Sequence, residues 1–317
     1  MEKGIVIKST GSWYQVKTGG GAVWQCRIVG KFRLDGMKIT NPVAVGDEVE
    51  MTPENADEKQ GLITGILPRK NYVARQSPRA KHDLHLLASN IDQALLVTTI
   101  VQPNLKLGFI DRFLLMTEPQ NIPAIIVFNK IDIYDEDTLE LAEALCGIYE
   151  SIGYTALTAS ARTGQGIDKL RELLKDKTTL ISGQSGVGKS TLVNRIQPNL
   201  ALKTQELSDY SGKGLHTTTF AEMHTLDFGG AIIDTPGIKL LAFNNLQPAD
   251  VAHNFREFFE LTENCRFRGS CLHRNEPGCA VKKAVEAGQI SEIRYMNYLG
   301  ILEEIEDQNY WERHKDM

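Results

Sequence analysis

Two different patterns of hydrophobic and polar positions divide the chain. Over residues 1–70, apolar and polar residues alternate in short segments such as KGIVIKST, AVWQCRIVG and VGDEVEMT, with turns rich in Gly or Asp between them. Alternation of this kind is typical of strands that bury one face. About five such strands predict a small closed β-barrel. We assign it to the OB type, with another small barrel such as an SH3-like module as the alternative.

From residue 91 onwards, the apolar positions form nearly continuous runs, namely DQALLVTTI, PAIIVFN, YTALTAS, TTLISG and AIIDTPG. Such runs indicate strands buried on both faces. Helical segments such as LELAEALCGIYESIG and GIDKLRELLKD lie between them. This alternation predicts an α/β fold with a doubly wound parallel sheet. Beyond residue 245 the strand pattern stops, and a helical pattern containing Cys and His follows.

Composition and charge narrow the class of protein. With 317 residues, 42% of them hydrophobic and 24% charged, the chain matches a globular protein of two or three domains. It begins without the apolar run of a secretory signal and contains no run long enough to span a bilayer. We therefore expect a cytoplasmic protein without a membrane partner. The net charge of −5 argues against indiscriminate binding to nucleic acid, although local basic patches could still bind it.

The segment SGQSGVGKST, residues 182–191, carries the strongest chemical signal. It matches the pattern G-x-x-x-x-G-K-[ST] and lies between a predicted strand and a predicted helix, as a phosphate-binding loop must. Its glycines let backbone N–H groups point at phosphate oxygens, Lys189 would reach the β- and γ-phosphates, and Ser190 would ligate Mg²⁺. We therefore assign nucleotide contacts to Gly183, Gln184, Ser185, Gly186, Val187, Gly188, Lys189, Ser190 and Thr191.

The segment Asn129-Lys130-Ile131-Asp132 follows a buried strand and indicates guanine as the base. A carboxylate at Asp132 can accept hydrogen bonds from the guanine N1–H and 2-amino groups. Sites built on such bonds reject the wrong analogue by roughly 10⁴–10⁵. Lys130 would lie along the base, Asn129 would brace the loops, and a backbone N–H at Ser160-Ala161 can meet the guanine O6. An ATP-dependent kinase, the competing interpretation, predicts no role for Asp132.

The order of these motifs is reversed relative to an ordinary GTP-binding domain, in which the phosphate loop comes first. Here the guanine loop precedes the phosphate loop, and Asp234-Thr235-Pro236-Gly237 follows it. We therefore predict a circular permutation, which is tolerable because domain termini usually lie close together. Asp234 would hold Mg²⁺ through water, and the Gly237 N–H would sense the γ-phosphate. Thr218, or alternatively Thr217 or Thr219, would ligate Mg²⁺ as the switch threonine. Loss of the γ-phosphate could then move the domain that follows.

A cluster of potential metal ligands occurs near the C-terminus, with the spacing Cys265-x5-Cys271-x-His273-x5-Cys279. Three thiolates and one imidazole suit tetrahedral Zn²⁺ and leave no open position for catalysis, so we expect a structural zinc. Free core cysteines or a disulfide pair are the alternatives. Several arginines lie among the ligands, which favours either a solvated basic face or an RNA contact.

Taken together, these motifs resemble the RsgA-type ribosome small-subunit-dependent GTPases, and the resemblance runs over essentially the whole chain. The segments that carry it are LASNIDQALLV, FNKIDI, GQSGVGKSTLVN, GKGLHTTTF, DTPGI and the Cys-x5-Cys-x-His-x5-Cys cluster, together with the N-terminal barrel. The resemblance implies a bacterial cytoplasmic GTP hydrolase that acts in late maturation of the 30S subunit. It also implies 16S rRNA binding through the flanking domains and hydrolysis that the 30S particle stimulates.

The residue that orients the attacking water is not evident from the motifs. Ile238 follows DTPG, where Ras-like GTPases carry a glutamine, so slow intrinsic hydrolysis is expected. We choose His216 as the water-positioning group within the chain, with an rRNA or ribosomal-protein group as the alternative. Completing such a site in trans can accelerate hydrolysis by about 10³–10⁵. The alternative function is a GTP-gated RNA-binding scaffold with negligible turnover.

These inferences divide the chain into four parts: an OB-fold-like RNA-binding barrel (1–70), a basic linker (71–90), a circularly permuted GTPase domain (91–243) and a zinc-binding helical domain (244–317). The linker is inferred from its polar and basic composition, with an RNA contact as the alternative. The expected ligands are GTP or GDP with Mg²⁺, and one structural Zn²⁺ per chain. The expected partners are the 30S subunit and 16S rRNA, bound by a monomer.

Overall fold

The computed structural model describes residues 1–28, 39–76, 84–106, 108–200, 202, 221–235 and 246–313. Its strands are β1 (Glu2–Ser9), β2 (Tyr14–Thr18), β3 (Val23–Ile28), β4 (Ile39–Asn41), β5 (Glu48–Asn55), β6 (Gln60–Ile66), β7 (Tyr72–Gln76), β8 (Leu84–Ser89), β9 (Gln93–Thr98), β10 (Ala124–Phe128), β11 (Thr155–Thr158), β12 (Thr178–Gly183), β13 (Glu222–Thr225) and β14 (Ala231–Asp234). Its α-helices are α1 (Phe109–Thr117), α2 (Glu136–Ser151), α3 (Ile167–Leu174), α4 (Lys189–Ile196), α5 (Pro248–His253), α6 (Arg256–Thr262), α7 (Ala280–Glu286) and α8 (Glu292–Arg313). Among these helices, none is both long and apolar enough to cross a membrane.

The N-terminal strands close into a barrel. β1 pairs with β2, β2 with β3, β3 in parallel with β6, and β6 with β5, which pairs back with β1. Because side chains alternate between the two faces of a strand, one set points inward. Val6, Val16, Met51 and Ile63 belong to this set and are fully buried. The OB-like barrel that the sequence predicts is therefore confirmed.

The central sheet has the order β11-β10-β9-β12-β14-β13, in which all strands are parallel except β13. β13 is antiparallel to β14 and also pairs with β1 of the barrel, where Lys8 lies opposite Glu222. Every residue of β9 and β10 is buried, as their continuous apolar runs predict. Helices α1 and α2 pack on one face, and α3 and α4 pack on the other. The phosphate-loop strand β12 lies between β9, which precedes it in the chain, and β14, which follows it. This is the doubly wound sheet of the predicted fold class.

Residues 71–90, predicted as a linker, contain two strands in their described part. β7 and β8 pair with each other, and β4 adds to β8, to form a three-stranded sheet. Val73, Leu87 and Ala88 are buried in the same core cluster as α1 and α2. The apolar residues of this stretch, which its basic character obscured, therefore pack against the central domain.

A hydrogen-bonded aspartate ties the end of the barrel region to the central sheet. Asp92 accepts a hydrogen bond from the Thr178 N–H (2.9 Å) and one from Lys70 Nζ (2.9 Å). Burial raises the pKa of Asp92, but these hydrogen bonds and the lysine charge outweigh burial and hold its pKa below the ordinary value of 3.8.

The C-terminal helices α5 to α8 enclose a separate core that includes Phe255, Phe258 and Tyr298. This helical unit contacts the central domain through a buried ionic cluster. The Arg294 guanidinium of α8 bonds the carboxylate of Asp111 on α1 and makes a bidentate pair with Glu257 on α6 (2.8 and 2.9 Å). Asp111 also accepts hydrogen bonds from Tyr149 Oη (3.0 Å) and Asn297 Nδ2 (2.6 Å). A charged network therefore holds the C-terminal unit to α1 and α2.

Candidate functional site

The predicted nucleotide loops meet at one edge of the central sheet. Strands β9, β10, β11 and β12 are parallel, so their carboxyl ends lie together, where ligands of doubly wound sheets bind. The phosphate loop follows β12 and leads into α4, whose N-cap residue, Gly188, has a φ of +85°. A Cβ atom on Gly188 would lie 2.6 Å from Asn129 Nδ2, so the close approach of the two loops requires glycine here.

Asn129 joins the guanine loop to two other loops. Its Nδ2 group donates to the carbonyl of Val187 in the phosphate loop (2.8 Å), and its Oδ1 accepts from the Ala161 N–H (3.1 Å). The side chain is enclosed, since the residue is only 1% exposed. The bracing geometry that the sequence predicts for Asn129 is thus present between segments far apart in the chain.

Asp132 presents a largely buried carboxylate beside the loop after β11. Its Oδ1 accepts a hydrogen bond from Ser160 Oγ (2.6 Å), and its Oδ2 lies 3.7 Å from Arg162 Nη1. Its side chain is 11% exposed, whereas that of Arg162 is 81% exposed. Oδ1 of Asp132 is therefore held by a hydrogen bond within the protein. Oδ2 faces the long, exposed side chain of Arg162 at the surface.

The backbone N–H groups expected to meet guanine O6 are engaged within the protein in this structure. The Ser160 N–H donates to the Gln165 carbonyl (3.0 Å), and the Ala161 N–H donates to Asn129 Oδ1. These hydrogen bonds stabilise the loop itself, and the predicted contact with guanine O6 stays a prediction.

Lys189 and Asp234 lie together where phosphate and magnesium are expected. Asp234 ends β14 and is 4% exposed, and its Oδ1 accepts a hydrogen bond from Lys189 Nζ (2.5 Å). Lys189 Nζ also lies 3.3 Å from the Thr235 carbonyl. Ser190 follows Lys189 in the first turn of α4. The structure therefore places the predicted phosphate lysine against one magnesium candidate, Asp234, and next in the chain to the other, Ser190.

Several predicted residues lie outside the described part of the chain. These are the catalytic candidate His216, the switch threonine candidates Thr217, Thr218 and Thr219, the γ-phosphate sensor Gly237, and Ile238. Their roles remain predictions.

The predicted metal ligands form a compact, buried cluster. Cys265, Cys271, His273 and Cys279 are 0 to 4% exposed, and their candidate ligand atoms all lie within 4.8 Å of one another. His273 Nδ1 faces the sulfurs of Cys265 (3.7 Å) and Cys279 (3.4 Å). Four donors converging on one point can hold one metal ion, and their burial favours a structural site over a catalytic one.

The surroundings of the cluster suit a bound cation. The Ala280 N–H approaches Cys265 Sγ (3.3 Å), and the Lys282 N–H approaches Cys279 Sγ (3.4 Å). Burial raises the pKa of the Cys271 thiol to about 12, and burial also lowers the pKa of His273. Thiolates therefore need a cation in this environment, while a neutral imidazole is already favoured as a ligand. The donor set fits a thiophilic metal such as Zn²⁺.

Glu276 organises the loop that carries two of these ligands. Its carboxylate accepts hydrogen bonds from the Leu272 N–H and the Arg274 N–H, both at 2.8 Å, on either side of His273. The sequence motif did not reveal this residue, because its role depends on a loop conformation and not on ligand spacing.

Two residues near the guanine loop were also not predicted. Tyr134 contacts the Asn129 carbonyl, and the Gln102 carbonyl contacts Lys130. Neither belongs to a recognisable motif, and Gln102 reaches the site from a loop after a different strand.

The sheet order, the loop contacts and the motif order together define a circularly permuted GTPase. Two family models match the chain, the RsgA N-terminal domain over residues 3–63 and the RsgA GTPase over residues 66–244. The chain is 49% identical over 308 residues to the small ribosomal subunit biogenesis GTPase RsgA of Bacteroides fragilis (strain YCH46), covering 97% of this chain and 98% of that one. It is 50% identical over 301 residues to the protein of the same name from Flavobacterium psychrophilum, covering 95% and 92% of the two chains.

Solved structures agree with this assignment. YjeQ from Thermotoga maritima matches with a TM-score of 0.75 at 37% identity, covering 96% of this chain and 98% of that one. YloQ, described as a circularly permuted GTPase, matches with a TM-score of 0.73 at 34% identity, covering 97% and 96%. The chain therefore belongs to the RsgA GTPase family. Membership favours GTP hydrolysis over a scaffold with negligible turnover.

Proposed function

We propose that this GTP hydrolase acts in late maturation of the small ribosomal subunit in the cytoplasm, binding 30S particles and 16S rRNA as a monomer. Support for the subunit comes from the relatives, which are named small ribosomal subunit biogenesis GTPases. The nucleotide assignment rests on two hydrogen bonds of the Asn129 side chain, which donates to the Val187 carbonyl and accepts from the Ala161 N–H. Together they join the guanine loop, the phosphate loop and the loop after β11.

In this proposal, Asp132 reads the guanine base. Ser160 fixes one carboxylate oxygen, so the carboxylate is oriented before the base arrives. Guanine N1–H and its 2-amino group would then bond the carboxylate, and Lys130 would lie along the base. An adenine base would leave the mostly buried carboxylate without those donors, which is the physical basis of the expected preference for guanine.

The phosphates would lie in the loop from Gly183 to Thr191, with Lys189 moving from Asp234 to the β- and γ-phosphates. Mg²⁺ would then be held by Ser190, by Thr218 or a neighbouring threonine, and by Asp234 through water. His216 remains our choice for positioning the attacking water, and Gly237 for sensing the γ-phosphate.

The flanking domains would supply the contacts with rRNA. We assign the barrel to residues 1–70 and the zinc-binding helical domain to 244–317, with the permuted GTPase domain at 91–243 between them. Zn²⁺ is the proposed metal of the C-terminal cluster because three sulfurs and one imidazole are its preferred structural donors.

GTP turnover by the purified protein, measured with and without 30S subunits and with ATP as the control nucleotide, tests the function. We expect 30S particles to raise GTP turnover strongly and to leave ATP turnover at background. Turnover that stays near background in every mixture would refute the proposal. Asp132→Asn should shift the preference from guanine to xanthine nucleotides, and an unchanged preference would refute the assigned base site.

A further inference from the structure

A short loop after β9 lies directly against the guanine loop. Within it, Thr99 Oγ1 donates to the Pro103 carbonyl (2.7 Å), and the Leu105 N–H donates to the Ile100 carbonyl (3.0 Å). Thr99 is 1% exposed and Ile100 is 8% exposed, so the base of the loop is enclosed. We refer to residues 99–105 as the buttress loop. Its internal hydrogen bonds give it a defined shape.

Tyr134 links the buttress loop to the backbone of the guanine loop. Its hydroxyl accepts a hydrogen bond from the Ile100 N–H (2.7 Å) and donates one to the Asn129 carbonyl (2.8 Å). Burial raises the pKa of the Tyr134 hydroxyl, so it stays protonated and can make both bonds at once. Removing the hydroxyl would deprive a buried N–H and a buried carbonyl of this shared partner.

The same loop holds the side chain of Lys130. Lys130 Nζ donates to the Gln102 carbonyl (2.7 Å), and burial lowers the pKa of Lys130. Lys130 and Gln102 have φ values of +69° and +53°, a region that residues other than glycine enter only when their surroundings hold them there. Two consecutive residues of the guanine loop, Asn129 and Lys130, are thus held by one neighbouring loop.

Tyr134 contacts the backbone of the guanine loop, which the side chains of the Asn-Lys-x-Asp motif do not hold in place. The Asn129 side chain joins Val187 to Ala161, and its backbone N–H donates to the Thr98 carbonyl (2.8 Å). The Asn129 carbonyl is fixed by Tyr134. Because Asp132 lies three residues further on, a shift of this backbone would displace the carboxylate that is to read the base.

We propose that Tyr134 is a positioning residue of the guanine site, and that it acts by holding the guanine loop against the buttress loop. The inference rests on the proposed guanine site and adds to it a residue outside the Asn-Lys-x-Asp motif. Among the residues that the structure describes, the hydroxyl of Tyr134 bonds Ile100 and Asn129 and not Lys189, Ser190 or Asp234, so its effect should fall on nucleotide binding and release and not on the chemical step.

The test is Tyr134→Phe in the full-length, metal-loaded protein. We expect the Kd for GTP and for GDP to rise about tenfold, because the substitution removes a hydroxyl that makes hydrogen bonds to the backbone of both Ile100 and Asn129. Nucleotide release should accelerate by a similar factor. In steady-state turnover, KM should rise while kcat at saturating GTP stays within about twofold, because binding and not transition-state stabilisation is weakened.

A matched control is Tyr14→Phe. The Tyr14 hydroxyl likewise donates a hydrogen bond, here to Asn41 Oδ1 (2.5 Å), but Tyr14 is buried within the barrel and Tyr134 is half-buried at the nucleotide site. The Tyr14→Phe variant should lose stability without any change in its Kd for GTP.

A second variant, Thr99→Val, removes the hydrogen bond from Thr99 Oγ1 to the Pro103 carbonyl within the buttress loop, with little change in side-chain shape. It should raise the Kd for GTP about two- to fivefold.

The outcomes separate this inference from the base site on which it rests. If Asp132→Asn redirects the protein to xanthine nucleotides while Tyr134→Phe and Thr99→Val both keep the wild-type Kd, the positioning role is refuted. If Asp132→Asn leaves the preference unchanged, the assigned guanine site itself fails. A rise in Kd for Tyr134→Phe equal to that for Tyr14→Phe would also overturn the inference, since it would reflect general destabilisation.

Discussion

Replacing Asp111 by alanine should weaken the attachment of the C-terminal helices to the central domain. Asp111 is fully buried on α1 and accepts hydrogen bonds from the Arg294 guanidinium, Tyr149 Oη and Asn297 Nδ2. Removing one partner of a buried ion pair usually costs about 3–5 kcal/mol, because the other charge is left uncompensated. Arg294 retains its bidentate contact with Glu257, so we expect about 3 kcal/mol, at the lower end.

The assay must resolve one interface in a chain of several domains, where a single unfolding midpoint is not well defined. Native-state amide hydrogen exchange of α1 and α8 meets this requirement, because it reports local opening. A loss of 3 kcal/mol predicts exchange that is about 100-fold faster in both helices. Barrel strands should exchange at the wild-type rate.

The control is Glu304→Gln at the same interface. Glu304 pairs with Arg112, but the two side chains are 38% and 27% exposed, so breaking this pair should cost about 0–1 kcal/mol. If Asp111→Ala accelerates exchange no more than Glu304→Gln does, buried charge does not hold the interface together. The double variant Asp111→Ala with Arg294→Met should cost less than the sum of the single variants, because the Asp111–Arg294 interaction can be lost only once, although Glu257 still loses its partner.

Three further outcomes follow from individual contacts. Asp92 has a folded-state pKa below 3.8, so its stabilising contribution is present above that pH and lost as the pH falls through the folded-state value. The difference between wild type and Asp92→Asn in the hydrogen-exchange protection of β9 and β12 should therefore shrink as the pH falls below 3.8. Gly188→Ala forces a side chain into contact with the guanine loop and should weaken GTP binding at least about tenfold in a titration, whereas Gly147→Ala, which has open space within α2, should stabilise by about 0.5–1 kcal/mol. Glu276→Gln should weaken zinc binding about 10- to 100-fold in a chelator competition, because it loosens the loop around His273; unchanged zinc affinity would contradict that role.

The sequence predicts those parts of the site in which chemistry dictates both residue type and spacing. A phosphate loop needs glycines and a lysine at fixed positions, and a tetrahedral metal site needs four donors, so both could be found without coordinates. The doubly wound sheet follows from runs of buried apolar residues, and the structure confirms it. The barrel follows from period-two alternation.

Other features depend on contacts between distant segments and have no local signature. The strands β7 and β8 were not predicted because the basic residues of this stretch indicated a linker, although Val73, Leu87 and Ala88 pack into the central core. Tyr134 belongs to the site through a loop that begins 35 positions earlier, at Thr99, and no spacing rule connects them. The Asp111–Arg294 pair is likewise formed by residues on α1 and α8 that are 183 positions apart in the chain.

The permuted order places the C-terminal domain directly after the segment expected to sense the γ-phosphate, which would let hydrolysis move that domain. The structure shows a second attachment between the C-terminal domain and the central domain, through Arg294 and Asp111, and this attachment limits such a motion. Swinging the domain away from α1 would separate Asp111 from both Arg294 and Asn297, so water would have to replace these buried contacts. If the C-terminal domain moves together with α1, the ion pair between Asp111 and Arg294 stays intact. Because α1 follows the buttress loop in the chain, such a motion would also reach the guanine loop through the buttress loop. We therefore expect a coupled shift of α1 and the C-terminal helices, and not a free hinge at the segment after Asp234.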